Sequence, residues 1–450
     1  MKLKLRKIIS ARQTLLFGAV LVFASLARAD SMPAWRFDFG SGPAAPGYTK
    51  VLPDMVYTKE RGFGFEPGAT LTAVNRGGGD LLLGDFITSD QPFFFSARVP
   101  AEGNYRVTVT LGDLAGESSN TIKAELRRLM VENVHTLPGH FSTQTFVVNT
   151  RTPKIPAIGD IAAGEVKLKA PRETTQEAWA WDNLLTLEFN GAHPAVCGVE
   201  IVKVDVPTVF LLGDSTVCDQ SREPYNSWGQ MLPRFFTPDI AIANHAESGE
   251  TYRDSIGRRR LDKVLSLMKP GDYLLMQFGH NDQKQIAAGT GGPFTTYKAE
   301  IKQHVDGVRA HGGIPVIISP MERLNFDSVG KIKPSLADYA EASRQAAKEL
   351  GVAFIDLNAM SIPFYEALGP DHAYLAFADT GTVRDTTHHD NYGSYELAKC
   401  VVMGIRRAKL KLAEFVIGNF EDFDPAHPDP IASFDVPPSP QFTNQRPLGD

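Results

Sequence analysis

Ser215 sits in the stretch Val209-Phe-Leu-Leu-Gly-Asp-Ser-Thr-Val217, where four apolar residues run into Gly213 and the next positions offer a carboxylate and a hydroxyl. A serine hydroxyl is a poor nucleophile until a base takes its proton. His388, in Asp385-Thr-Thr-His388, has the right chemistry near neutral pH. Asp385, three residues earlier, can bond the far ring nitrogen, which fixes the tautomer and stabilises the imidazolium. An anion developing on a carbonyl oxygen also needs preorganised donors. The amide of Ser215, the amide of Gly249 in Asn244-His-Ala-Glu-Ser-Gly249 and the side chain of Asn281 in Gly279-His-Asn-Asp282 are candidates for that oxyanion hole. Singly, each residue has a plainer reading as a turn, a strand breaker, a helix cap or an exposed histidine. Jointly, and in this order, they point to acyl transfer through a serine.

Such residues must be set at one rim of a scaffold. Strand-like segments 209–212, 240–243, 272–278, 314–319 and 353–356 alternate with helix-like segments 226–236, 253–268, 295–311, 335–350 and 391–408. That alternation predicts an α/β domain with a parallel sheet covered on both faces, whose chemistry belongs at the carboxyl ends of the strands. Ahead of it, from Trp35 to about Lys203, short β-rich runs at 93–99, 104–111, 123–131, 143–149 and 184–189 are divided by turn residues, which predicts an antiparallel β-sandwich. Within that region Tyr48, Tyr57, Trp179 and Trp181 could stack on sugar rings or fill a core or an interface. Asp38 could ligate calcium or cap a turn. From Asp424 onwards prolines are frequent and periodicity is lost, so the tail is expected to lie extended over the surface or to be mobile.

The expected organisation is therefore 1–29, 30–206, 207–415 and a Pro-rich tail at 416–450. Residues 1–29 carry six basic side chains, no acidic one, an apolar run from Thr14 to Leu26 and the small-x-small triplet Ala27-Arg28-Ala29, the pattern of a secretory signal peptide. Its removal would take the net charge from −6 to about −12, which argues against a nucleic-acid partner. No other apolar run is long enough to span a bilayer, so a soluble, exported protein, periplasmic or extracellular, is expected. Cys197, Cys218 and Cys400 are too few for a disulfide scaffold, although one pair could close in an oxidising compartment. Cys218, just past Ser215, reads as a small buried hydrophobe rather than a reactive thiol.

Gly213-Asp-Ser-Thr, Asn244 to Gly249, Gly279-His-Asn-Asp and Asp385-x-x-His388 resemble the four blocks of the SGNH, or GDSL-type, hydrolases. The rhamnogalacturonan acetylesterase branch is the nearest, through Trp228-Gly229 and through Gly393, five residues beyond the histidine. The resemblance spans roughly residues 208–412, and the sandwich is similar, more loosely, to galactose-binding-like domains that precede such enzymes. It implies a three-layer α/β/α, flavodoxin-like hydrolase domain. By position, Ser215 becomes nucleophile, His388 base and Asp385 its acidic partner, with the Ser215 and Gly249 amides and Asn281 as oxyanion hole, and with no metal or other cofactor. The implied substrate is an acetylated plant-wall polysaccharide, most of all acidic rhamnogalacturonan, for which Arg253 and Arg323 are candidate binding residues. Other acetylated glycans such as xylan, longer acyl esters, or a non-catalytic carbohydrate-binding role remain as alternatives. Two points set this chain apart. Glu250-Thr251 stands where many members of the branch have Arg-Ser, and His389 adjoins the expected base. The run Arg258-Arg259-Arg260 reads as a solvated helix face.

Overall fold

The computed structural model describes residues 34–447, so the expected signal peptide lies outside the described residues. The first half is a sandwich of two sheets. One has strands in the order Phe141–Thr150, Gly103–Gly112, Val196–Lys203, Ala34–Phe39 and Thr49–Val51, with Asp85–Thr88 and Thr72–Asn75 attached to it. The other runs Phe63–Phe65, Phe93–Arg98, Leu184–Asn190, Ser118–Ala124 and Arg128–Thr136. Apart from the parallel pairing of Ala34–Phe39 with Thr49–Val51, neighbours in both sheets are antiparallel. Strand alternation builds the core: Tyr105, Val107, Val109 and Leu111 point inward from one strand onto Phe39, Phe93, Phe95 and Phe189.

The second half contains a parallel sheet ordered Ala241–Asn244, Thr208–Gly213, Tyr273–Gln277, Ile314–Ile318 and Ala353–Ile355. All five expected strands are present. Because successive side chains alternate, Val209 and Leu211 enter one core with the helices Trp228–Met231, Leu357–Leu368 and Asn391–Arg407. Phe210 and Leu212 enter the other, with Tyr252–Gly257, Arg260–Leu267, Lys298–Ala310 and Ala337–Leu350. The first strand of the sheet lies inside it, between the second and the third, so the chain order reverses across Thr208–Gly213 and opens a crevice at its carboxyl end. No helix among the described residues is long and apolar enough to cross a membrane.

Several expectations need correction. The run 123–131 is not one strand but the turn of a hairpin, with Glu125 and Arg127 in the left-handed region at φ 55° and 63°. The hairpin tip leaves the sandwich and packs on the α/β half, with Leu126 entering one of its cores and Leu129 the other. The helix expected at 253–268 is broken at Arg259, which is left-handed. Arg260 is buried rather than solvated, pairing with Glu173 and Glu250. Trp181 is also buried, with the guanidinium groups of Arg151 and Arg260 against its ring, and so cannot stack on a sugar. Tyr48 hydrogen-bonds Glu200, and Tyr57 accepts a bond from Arg98. Asp38 accepts the Ala45 amide, and the Lys50 ammonium bridges it to Asp85, so a side-chain cation stands where calcium was considered. The tail does lie extended, with Phe423 and Val436 buried and Ser439 bonded to Glu188. All three cysteines are free and buried.

Candidate active site

The loop after Thr208–Gly213 is fixed from every side. The Asp214 carboxylate accepts the amide and hydroxyl of Thr216 through one oxygen and faces His280 Nδ1 at 3.3 Å through the other. Burial opposes ionisation of Asp214, but His280 and Thr216 outweigh it and hold the carboxyl below its ordinary range. The Ser215 carbonyl accepts Gln220 Nε2 at 2.7 Å. Asn244, the first residue of its block, donates to the Val217 carbonyl at 2.7 Å and to Asp219 at 2.8 Å, so its role is to hold this loop. Helix Trp228–Met231 approaches the same carbonyl so closely that a side chain at Gly229 would collide with it. Trp228 then donates to Gln277 Oε1 at 2.8 Å, and Gln277 donates to the Thr216 hydroxyl at 2.9 Å.

On this platform Ser215, His388 and Asp385 meet. His388 Nε2 lies 2.8 Å from Ser215 Oγ, and its Nδ1 lies 3.0 Å from Asp385 Oδ2. The network assigns the tautomer: Nδ1–H donates to the carboxylate, leaving Nε2 to accept the serine hydroxyl. Asp385 Oδ1 accepts the amides of Thr387 at 2.8 Å and His388 at 3.0 Å. Burial would raise the Asp385 carboxyl, yet these bonds hold it well below the usual carboxylate range. The neighbouring His389 is excluded from this line. Its Nε2 pairs with the Tyr365 hydroxyl at 2.8 Å, and burial, with the adjacent His388, pushes it down to about 3.

Gly249 and Asn281 lie together on the wall of a cleft of about 600 Å³. Gly249 has φ +73°, a left-handed conformation that suits a residue without a side chain. Neither its amide nor that of Ser215 has an acceptor among the described residues. Asn281 donates weakly to the Glu250 carbonyl at 3.2 Å. The loop carrying it is anchored by Tyr252 N–H on Asp282, whose own carboxyl burial pushes well up. The buried serine–histidine–aspartate line is what acyl transfer through a serine requires, and Gly249 and Asn281 share one cleft wall.

Charge distinguishes the cleft. Lys169, Arg258 and Lys284 line it, against Asp254. Lys169 bonds the Ser248 carbonyl and pairs with Glu250 at 2.8 Å, while Arg258 pairs with Glu250 at 3.3 Å. Glu250, the departure from Arg-Ser, is therefore a buried anion that gathers these cations. Burial raises its carboxyl, with Arg260 and Lys169 opposing. Neither Arg253 nor Arg323 is among the residues lining the cleft. Arg253 pairs with Glu300 at 2.8 Å. Arg323 braces the loop of Asn281 through Gln283 at 2.9 Å and the His280 carbonyl at 3.2 Å. Sequence reasoning missed Lys169, which arrives from outside the α/β half with no motif around it. It also missed Arg446, whose Nε donates to Asp385 Oδ2 at 3.0 Å. Cys218 is the inert thiol expected, pushed well up by burial.

Comparison with known proteins bears on the same residues. The GDSL-like Lipase/Acylhydrolase family matches residues 211–389, and the galactose-binding domain-like family of β-agarase/YXIM esterase-like proteins matches residues 35–151. The chain is 35% identical over 220 residues to the rhamnogalacturonan acetylesterase RhgT of Bacillus subtilis, covering 46% of this chain and 94% of that one. To the uncharacterized esterase YxiM of the same organism it is 28% identical over 396 residues, covering 83% of this chain and 91% of that one. A crystal structure of the YxiM protein superposes with a TM-score of 0.45 at 24% identity, covering 84% of this chain and 99% of that one.

Proposed function

Because the chain belongs to the GDSL-like lipase/acylhydrolase family and is a carboxylic ester hydrolase, we propose that it is a carbohydrate acetylesterase whose substrate is an acidic plant-wall polysaccharide, rhamnogalacturonan foremost. The observation that carries the chemistry is the unbroken Asp385–His388–Ser215 line. Ser215 Oγ attacks the acetyl carbonyl as His388 Nε2 takes its proton. The imidazolium is stabilised by Asp385, and the tetrahedral oxyanion by the Ser215 and Gly249 amides and the Asn281 side chain, each such donor contributing on the order of 3 kcal/mol. Collapse returns the proton to the sugar oxygen as the C–O bond breaks, leaving acetyl-Ser215. Water, deprotonated by His388, then attacks the acetyl carbon; as the bond to Ser215 Oγ breaks, the imidazolium returns that proton to the serine oxygen and acetate leaves.

The substrate reading is supported by the RhgT relative and by Arg258, a partly exposed cation on the cleft wall, which suits a polymer bearing carboxylates. A second groove of about 270 Å³, walled by Trp179 and Phe94 with Gln176, Arg222 and Gln441, offers the mixture of aromatic and hydrogen-bonding surface that sugars use. Trp179, one of the four aromatic residues singled out in the sequence, lines this groove, which supports a sugar-stacking role for it. Export is proposed from the pattern of residues 1–29. Acetate release should be measured from acetylated pectic, xylan and mannan polymers. Ser215→Ala should abolish release without altering the circular dichroism spectrum; a folded variant that still turns over would overturn the mechanism, and faster release from mannan than from pectin would overturn the substrate.

A further inference from the structure

We infer that Arg446 is a positioning residue for the Asp385–His388 pair, delivered to it by the extended C-terminal segment. The inference rests on the reading of His388 as the general base. Arg446 Nε donates to Asp385 Oδ2 at 3.0 Å, and the same oxygen accepts His388 Nδ1 at 3.0 Å. With Oδ1 taken by two amides, Arg446 completes the set of donors that fixes the carboxylate's orientation towards the imidazole. The segment that brings it there is anchored on Glu223. Ser439 N–H donates to the Glu223 carboxylate at 2.8 Å, Glu223 N–H donates to the Gln441 carbonyl at 2.8 Å, and Thr443 N–H donates to the Glu223 carbonyl at 2.7 Å. Lys123 Nζ and Asn190 Nδ2 hold the Pro437 and Pro438 carbonyls at 2.7 and 2.9 Å, and Pro447 is buried immediately beyond the arginine.

The consequence is electrostatic. Around the pair are the Ser215 hydroxyl, the Tyr225 ring, nearly perpendicular to the His388 ring with centroids 5.8 Å apart, and His389, itself bonded to Tyr365; His280, paired with Asp214, neighbours His389. With Arg446 in place, taking a proton onto the resting imidazole sets two positive charges against the single Asp385 carboxylate. Without Arg446, one positive charge faces one negative, and the inactivating proton is accepted more readily. The side chain of Arg446 is 41% exposed, so solvent moderates the effect and little of it is a matter of fold stability.

The test uses the full chain and the rate at which a fluorophosphonate labels Ser215, followed across the acid limb in wild type, Arg446→Gln and Arg446→Lys. Arg446→Gln should displace the acid limb of labelling to higher pH, and 1 M salt should narrow the gap. Arg446→Lys, which keeps the charge, should follow the wild type. Coincident limbs for wild type and Arg446→Gln overturn the proposal, as does an equal shift in both variants, which would make the effect one of shape rather than charge. Wild-type protein that never labels sinks the serine mechanism and this inference together. Normal labelling without acetate release from any acetylated glycan sinks the substrate reading alone.

Discussion

Arg258 and Arg260 stand two positions apart and do opposite work. Arg260 is buried against Glu173 and Glu250, whereas the Arg258 side chain is 36% exposed at the cleft and reaches Glu250 and the Lys167 carbonyl. A polymer carboxylate can meet Arg258 but not Arg260. Arg258→Gln is therefore expected to raise KM for an acetylated pectic polymer roughly threefold, the scale of one exposed ion pair, and to leave KM for an uncharged acetylated mannan unchanged; steady-state kinetics on the two polymers checks it. The charge run looked solvated in sequence because the partners that bury Arg260 come from distant segments. The triad was legible for the converse reason. Asp385 and His388 interact across three residues, a local spacing, and Ser215 is marked by the strand that precedes it. Arg446 reaches Asp385 across 61 residues, and nothing in its surroundings announces the contact.

Among the elements, the parallel strands were legible because burial on both faces turns each into a short unbroken apolar run. The hairpin Ser118–Thr136 was not, because its turn, Glu125-Leu-Arg127, contains none of the glycine, proline or asparagine that mark turns, and its left-handed residues are held by tertiary bonds instead. Arg127 Nη1 donates to the carbonyls of Gln220 and Tyr225, while Gln230 Nε2 donates to the Leu126 carbonyl. Helix Leu357–Leu368 was hidden by the proline at its centre. Helix Asn391–Arg407 starts from Asp390, whose carboxylate accepts the Gly393 amide, and burial pushes this carboxyl up to about 7. Since its pKa is raised in the fold, the stability it contributes is complete below the ordinary carboxylate pKa and is lost as pH rises through about 7. Asp390→Asn keeps the cap acceptor and removes the titration. The margin by which its melting temperature exceeds the wild type should widen from pH 4 to pH 8, as thermal scans at the two values would show.

At the scale of the molecule, the two halves share a core. Leu126, Ile155, Ile161, Val166, Ala180 and Trp181 pack in one apolar cluster with Phe210, Leu212 and Met276 of the parallel sheet. Across the same junction Arg128 donates to Asp219 at 2.8 Å, both side chains being buried, and Asp219 in turn accepts the Asn244 amide that steadies the loop of Ser215. Arg128→Ala leaves that carboxylate with reduced compensation in a dry setting and is expected to cost about 3 kcal/mol. Chemical denaturation should show the loss within a single transition in which the spectroscopic signal and acetate release disappear together. The sequence revealed both halves but not their dependence on each other, because a shared core is written in residues that each half already uses for itself. The tip of the hairpin has an evolutionary corollary. A hydrolase whose attacking oxygen is seated partly by a neighbour's β-turn cannot exchange that neighbour as a detachable module, and recombination that swaps either half must import its counterpart or rebuild the seat.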